Sequence, residues 1–184
     1  MIYLDKEIKL KIKAYHHAYD QMKIKGDITE GDIKEFTKSG RYLNRAKDDF
    51  LLANATKKII EDMKIRASLG LPADFANLYH WLIIHSYYAM YHAATAAIAK
   101  KKIKTSSHVA TIVSLAKHYA TDEVLEFDFI KAIEYTYITY IESGRKSRQG
   151  AQYNVDKMYS MEEAYEVFDN TKKFVKKIQG LLEE

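Results

Sequence analysis

The chain has 184 residues, of which 47 % are apolar, and its 29 lysines and arginines exceed its 25 aspartates and glutamates, giving a formal net charge of +4. This length suits one domain with an appended segment, and this apolar content argues against a fully disordered chain. A charge of +4 is compatible with a polyanionic partner but lies far below that of a dedicated nucleic-acid binder. The absence of cysteine excludes disulfides, thiolate metal sites and a cysteine nucleophile.

The first forty residues are predicted to form an N-terminal arm of one or two helices. They start with MIYLDKEIKL, which lacks the apolar core of a signal peptide, so the expected location is cytoplasmic. EIKLKIKAY alternates apolar residues with lysine, as a half-exposed strand would, but the apolar positions also fit a helical stripe. Length and the lack of a second strand favour a helix. KGDITEGDI is expected to join this arm to the rest of the chain.

From Arg41 the apolar residues recur at three- and four-residue intervals, which predicts a helix that ends at SLGLPAD. Gly70 suits its C-terminus, and Asp74 is expected to cap the next helix. That next helix carries no Asp, Glu, Lys or Arg from Phe75 to Ala99 and ends at the basic KKKIK. KKKIK is interpreted as a solvated helix end, or as a surface that attracts phosphates without sequence preference.

The uncharged run is long enough to raise the possibility of a membrane span. It contains six polar side chains, whose burial in hydrocarbon would be costly: Asn77, His80, His85, Ser86, His92 and Thr95. We therefore predict a central helix of a soluble bundle and no membrane association.

Three further helices are predicted towards the C-terminus. Thr105 or Ser106 is expected to cap a helix from about His108 to Tyr119. Thr121 is expected to cap a tyrosine-rich helix that ends near Ser143 and Gly144 and presents a packing surface. The last helix follows a capping box formed by its cap serine and the glutamate three residues later, Ser160 and Glu163. The pattern as a whole predicts an all-α fold.

No motif for metal or cofactor chemistry is present. The sequence has no glycine-rich phosphate loop, no HExxH, no Glu-x-x-His carboxylate pair and no zinc-ligand spacing, so neither a metal nor a cofactor is predicted. His16 and His17 are adjacent and point to different faces of a helix. His108 and His118 are expected to be structural or exposed.

His85 and His92 stand apart because they lie in the most apolar segment. Seven residues are two helical turns, so both side chains fall on one face, about 10.5 Å apart along the axis, with Tyr88 between them. Such a strip is either a hydrogen-bonded core feature or the lining of a cleft in which histidine performs acid–base chemistry near neutral pH. The spacing alone leaves both interpretations open.

The segment SYYAMYHAATAAI resembles the central helix of the HEPN domain family (higher eukaryotes and prokaryotes nucleotide-binding), whose signature is an arginine, four to six residues, then a histidine. NRAKDDFLLANATKKI is similar to the first family helix and KTSSHVATIVSL to its THxxL segment. RQGAQYNVDKMYSMEEAYEVFDNTKKFVKKI is similar to its RxxADY turn and last helix. The resemblance covers about residues 41–182. The predicted domains are therefore a helical arm, 1–40, and a HEPN-like bundle, 41–184.

This resemblance implies an antiparallel bundle of four to five helices that dimerises so that the motif helices of two subunits meet. It also implies a metal-independent endoribonuclease, commonly the toxin beside a nucleotidyltransferase antitoxin. His92 takes the place of the family histidine, whereas His85 takes the place of the family arginine. Histidine is mostly neutral at pH 7 and offers fewer donors, so phosphate binding there should weaken by about 1.5–3 kcal/mol.

Three functional outcomes follow from this motif. In the enzymatic one, His85 and His92 from two subunits act as acid and base on RNA, and Arg148 or Arg145 supplies a fixed charge. In the structural one, the helix is a dimer core in which the two histidines satisfy one another.

In the third outcome, the cleft binds a nucleotide or an RNA phosphate without cleavage. Tyr87, Tyr88 or Tyr153 then stacks on the ligand or hydrogen-bonds it. Arg148 and Tyr153 match the family's RxxADY, while Gln152 replaces its acidic residue. The alternative interpretation of this stretch is a solvated loop.

Overall fold

A computed structural model of the protein describes residues 6–72, 75, 77–120, 134–154 and 156–183. Within these ranges the chain is almost entirely helical, which confirms the all-α prediction. The helices are α1 (Lys6–Ile24), α2 (Ile33–Glu61), α3 (Met63–Ser68), α4 (Asn77–Lys100), α5 (His108–Tyr119), α6 (Tyr135–Tyr153) and α7 (Met161–Glu183). Two short strands, β1 (Ile28–Thr29) and β2 (Lys104–Thr105), pair antiparallel.

The uncharged helix α4 is the centre of the bundle and contacts α2, α5, α6 and α7. From Ala89 to Ala99 every side chain is fully buried except those of Tyr91, His92 and Thr95. The many alanines in this stretch let the neighbouring helices approach closely. No helix among the described residues is long and apolar enough to cross a membrane.

Helix α2 begins earlier and ends earlier than its apolar pattern predicted. Asp32 caps its start, because the carboxylate accepts hydrogen bonds from the amides of Lys34 and Glu35. One continuous helix therefore crosses residues 40 and 41, where the arm was predicted to join the bundle, and that division stays a prediction. Asp62 ends α2 and caps α3, and Gly70 follows α3 with a positive φ of 68°.

The N-terminal segment forms the predicted helix, α1, which packs against α5. Ile12 and Tyr19 on its inner face are 3 % and 2 % exposed. The connection after α1 is tied to the loop after α4 by the β1–β2 pair and by a hydrogen bond from the Asp32 amide to the Lys102 carbonyl. The sequence pattern predicted neither of these two short strands.

The predicted cap of α7 is confirmed, and the predicted cap of α5 is corrected to the neighbouring residue. Helix α5 has the predicted bounds, but its cap is Ser107 and neither Thr105 nor Ser106, since the Ser107 hydroxyl accepts from the Ala110 amide. Thr105 lies in β2 instead. Before α7, the capping box is formed as predicted by its serine and glutamate, Ser160 and Glu163.

Helix α6 continues through its predicted end near Ser143 and Gly144 as far as Tyr153. Gly144 is buried against α4, where an added Cβ would come within 2.5 Å of the Met90 Cε. The glycine therefore permits close packing of two helices and does not end one. Most of the stretch interpreted as a closing turn or solvated loop therefore lies within α6. Two predicted helix caps, Asp74 and Thr121, lie outside the described residues, as does the predicted tyrosine-rich helix up to residue 133.

Candidate functional site

The best-defined polar pair on α4 joins His92 to Asp49 on α2. The His92 Nδ1 and the Asp49 Oδ2 are 2.6 Å apart, and the two side chains are 13 % and 18 % exposed. A carboxylate accepts only, so the ring donates its Nδ1–H and leaves Nε2 with a lone pair. A carboxylate held in this way fixes the orientation of a histidine and stabilises the imidazolium that forms when Nε2 takes a proton.

His85 lies two turns before His92 and has a different environment. Its ring stacks on Trp81, with ring centres 5.8 Å apart and planes inclined by 25°. Burial lowers the pKa of His85, and the nearby Asp49 carboxylate opposes that effect. Within one chain, His92 hydrogen-bonds Asp49 and not His85.

Arg148 on α6 reaches over the aromatic side chains of α4. Its Nη2 donates to the Tyr88 hydroxyl at 2.5 Å, and its guanidinium carbon lies 5.1 Å from the Tyr88 ring centre. The ring centres of Tyr87 and Tyr153 lie 5.8 and 5.5 Å from the same carbon. The Arg148 Nε is buried and has no hydrogen-bond partner. This side chain therefore brings a fixed positive charge to the strip that contains His92.

The remaining predicted binding residues differ in their access to solvent. Tyr87 is 0 % exposed, so its ring is covered and unable to stack on a ligand. Tyr153 is 69 % exposed and lies at the edge of the strip. Arg145 lies one turn before Arg148 on α6, and its Nη1 donates to the Gln149 Oε1 at 3.1 Å.

Three residues of the site were missed or misplaced by sequence reasoning, Asp49, Tyr91 and His108. His108, expected to be structural or exposed, stacks on Tyr91 with ring centres 4.0 Å apart and planes 9° from parallel. The His108 Nδ1 lies 2.6 Å from the Tyr87 hydroxyl. The one available signal for His108 was its place in the THxxL-like segment. Nothing in the local pattern distinguishes Asp49 from Asp48.

Burial lowers the pKa of His108, and three positive or ionisable neighbours act in the same direction. These are Arg148, His92 and Arg145. The ring also stands at the first position of α5, where the helix dipole disfavours positive charge. All of these effects favour the neutral form of His108.

We call the whole arrangement the Tyr88 cluster. Its members come from α2, α4, α5 and α6: Asp49, Tyr87, Tyr88, Tyr91, His92, His108 and Arg148. It combines one carboxylate–histidine pair, one neutral histidine and one permanent cation. Within the described ranges, no three His, Asp or Glu side chains stand close enough together to hold a metal ion.

A family model described as the HEPN domain matches residues 73–181, which is more than half of the chain. The matched range holds every predicted or observed site residue except Asp49, which lies before it. The resemblance seen in the sequence began earlier, at about residue 41. No curated protein matches the chain.

Proposed function

The chain belongs to the HEPN domain family, and from this premise we propose that it is a metal-independent endoribonuclease that acts as a dimer. The observation that carries the proposal is the hydrogen bond between Asp49 and His92 beside the cation of Arg148. A carboxylate-oriented histidine next to a fixed positive charge can move a proton at one oxygen and stabilise negative charge on the adjacent phosphate.

The reaction begins at the 2′-hydroxyl of RNA. The His92 Nε2 takes the hydroxyl proton while the 2′-oxygen attacks the adjacent phosphorus, and Asp49 stabilises the resulting imidazolium. The bond from phosphorus to the 5′-oxygen breaks, leaving a 2′,3′-cyclic phosphate. The departing 5′-oxygen receives its proton from the imidazolium form of a second histidine, for which we propose the partner subunit's His85, and that histidine is left neutral.

Arg148 supplies the permanent charge that the family motif draws from the position of His85. Its guanidinium is cationic at every relevant pH and can bond two phosphate oxygens. Tyr88, which accepts a hydrogen bond from Arg148, and the exposed Tyr153 are proposed to contact the nucleotide. Arg145, one turn away, adds to the positive potential.

Dimerisation through α4 is part of the proposal. Trp81, which is 50 % exposed, stacks on His85 and gives this end of α4 an apolar surface. A second subunit that packs here would shield Trp81 and bring its own α4 next to the Tyr88 cluster. The two proton-transfer groups would then come from different chains.

A second candidate function is nucleotide or RNA binding without cleavage. His85 favours this function, because burial lowers the pKa of this histidine and so disfavours the positive charge that an arginine would present to the phosphate. The exposed ring of Tyr153 beside Arg148 offers a stacking surface for a base.

The test is cleavage of a labelled single-stranded RNA in EDTA by the wild-type chain, by His92→Ala and by His118→Ala. His118 is a matched control because it is also half-buried but lies at the far end of α5. We expect the wild type and His118→Ala to cut the RNA and His92→Ala to leave it intact. RNA that is bound but stays intact with all three proteins would overturn the nuclease proposal and support binding.

The biological role that we propose is that of a toxin paired with a nucleotidyltransferase antitoxin. Expression of the wild-type chain is then expected to arrest growth, whereas His92→Ala should not. Co-expression of a nucleotidyltransferase encoded beside it should restore growth. Arrest that is equal for wild type and His92→Ala would contradict this role.

A further inference from the structure

We propose that His108 is a neutral hydrogen-bond donor to the substrate phosphate, that it acts beside Arg148, and that Tyr87 positions it. This inference rests on the proposed function, because it names a phosphate-binding residue of the same site. The substrate class is a single-stranded RNA phosphodiester.

His108 lies on the same aromatic surface as His92 and Arg148. Tyr91 stands between the two histidines, its ring centre 4.0 Å from that of His108 and 5.3 Å from that of His92. Tyr88 contacts the rings of both histidines and also lies under the Arg148 guanidinium. The position that we propose for the phosphate lies above Tyr88 and Tyr91, whose rings neighbour both histidines, with the guanidinium of Arg148 over the Tyr88 ring.

The hydrogen bonds orient the two histidines in opposite ways. Burial raises the pKa of the Tyr87 hydroxyl, which stays protonated, and this fully buried O–H needs an acceptor. The Nδ1 of His108, 2.6 Å away, accepts it, so the ring hydrogen of His108 stands on Nε2. In His92 the hydrogen stands on Nδ1, towards Asp49. His108 thus presents a donor at Nε2, and His92 presents an acceptor.

These opposite orientations match the two needs of the reaction. The 2′-hydroxyl requires an acceptor, which is the Nε2 of His92. The non-bridging phosphate oxygens require donors, which are the Nε2–H of His108 and the guanidinium of Arg148. A neutral donor and a cation together replace part of the binding that an arginine at position 85 would provide.

The first experiment measures the ring tautomers of the unmodified protein by long-range proton–nitrogen NMR at pH 7.5. We expect the Nε2–H form for His108 and the Nδ1–H form for His92. Tyr87→Phe is expected to release His108 into a mixture of tautomers and to leave His92 unchanged. A wild-type His108 that carries its hydrogen on Nδ1 would overturn the inference without any variant having to fold.

The second experiment measures binding of a single-stranded RNA with one 2′-deoxy nucleotide at the cleavage position. His108→Phe keeps the ring on Tyr91 and loses the donor, so affinity should fall about threefold to tenfold, the worth of one neutral hydrogen bond. Because the lost donor is uncharged, the slope of log affinity against log salt should stay the same. Arg148→Met should lower that slope by about one.

His118→Phe is the matched control for binding, since it makes the same change in a half-buried histidine at the other end of α5. We expect it to bind like the wild type. Equal affinity of His108→Phe and wild type would overturn the role of His108 alone. Failure of the wild type to bind any RNA would overturn the proposed function as well.

Discussion

Each end of α5 holds a half-buried histidine bonded to the hydroxyl of a buried tyrosine, and only one end is a candidate site. At one end His108 bonds Tyr87, and at the other the His118 Nε2 lies 3.1 Å from the Tyr19 hydroxyl. Tyr87 and Tyr19 are 0 % and 2 % exposed. The same two residue types therefore form a hydrogen-bonded pair at each end of one helix.

The difference lies in where each hydrogen-bond chain ends. The Tyr19 hydroxyl donates to the Glu30 carboxylate at 2.6 Å, and Lys23 pairs with that carboxylate. This chain is closed by an ion pair and holds α1 on α5. In the Tyr88 cluster, no carboxylate among the described residues pairs with Arg148, whose Nε is buried without a partner. A hydrogen-bond network that ends on a cation without a carboxylate partner is suited to an anionic ligand. A network that ends in an ion pair stabilises the fold.

The largest effect is expected from Asp49→Asn. The amide can present its NH2 group to His92 and so favour the wrong tautomer, and it no longer stabilises the imidazolium. We expect RNA cleavage to fall about a hundredfold or more, within the range that general acid–base catalysis contributes. The control is Asp48→Asn, at the neighbouring exposed position, which should cleave like the wild type. Equal rates for both variants would remove Asp49 from the mechanism.

A smaller effect, of opposite sign, is expected from His85→Arg. It restores the permanent charge of the family motif on the same face as His92 but removes the proton donor proposed for the 5′-oxygen. The affinity for the RNA with one 2′-deoxy nucleotide should therefore rise about tenfold, the worth of one charge-assisted hydrogen bond to phosphate, without a rise in cleavage. His17→Arg adds the same charge at an exposed position of α1 and should leave the affinity unchanged. A rise with both variants would indicate a general effect of charge and not the motif.

Tyr19→Phe breaks the closed network and is expected to act on stability alone. It removes the hydroxyl that joins His118 to Glu30, so the free energy of unfolding should fall by about 1–2 kcal/mol. Urea denaturation measures this, with Tyr153→Phe, at an exposed ring, as the unchanged control. Loss of RNA cleavage in folded Tyr19→Phe would contradict the separation of the two networks.

The smallest effect is a loss of stability as pH falls below the ordinary histidine value of 6.5. Burial lowers the pKa values of His85, His108 and His118 in the folded chain. The unfolded chain therefore binds protons first, and the free energy of unfolding decreases from pH 6.5 downwards until the folded histidines titrate. Urea denaturation between pH 7.5 and 5 should detect this decrease, and His118→Phe should reduce it. A stability that rises over this interval would contradict the burial of these rings.

The elements whose signals are local were predicted closely. Helix α5 has its predicted bounds, and the capping box before α7 forms between residues three positions apart. Predictions were wrong where a residue serves a contact with a part of the chain that is distant in sequence. Gly144 was interpreted as a helix end because glycine commonly stands there, but its small size serves the contact with Met90, 54 positions away in the chain.

For the candidate site, the sequence by itself determined that His85, Tyr88 and His92 share one face of a helix, because a helical repeat depends only on spacing. The tertiary structure alone decided their partners. Asp49 meets His92 across 43 positions and Arg148 meets Tyr88 across 60. Spacing restricts a side chain to a stripe, but which helix packs on that stripe, and at what rotation, depends on how the whole core is filled. The packing of the helices therefore decided which histidine contacts a carboxylate, which a tyrosine and which a tryptophan.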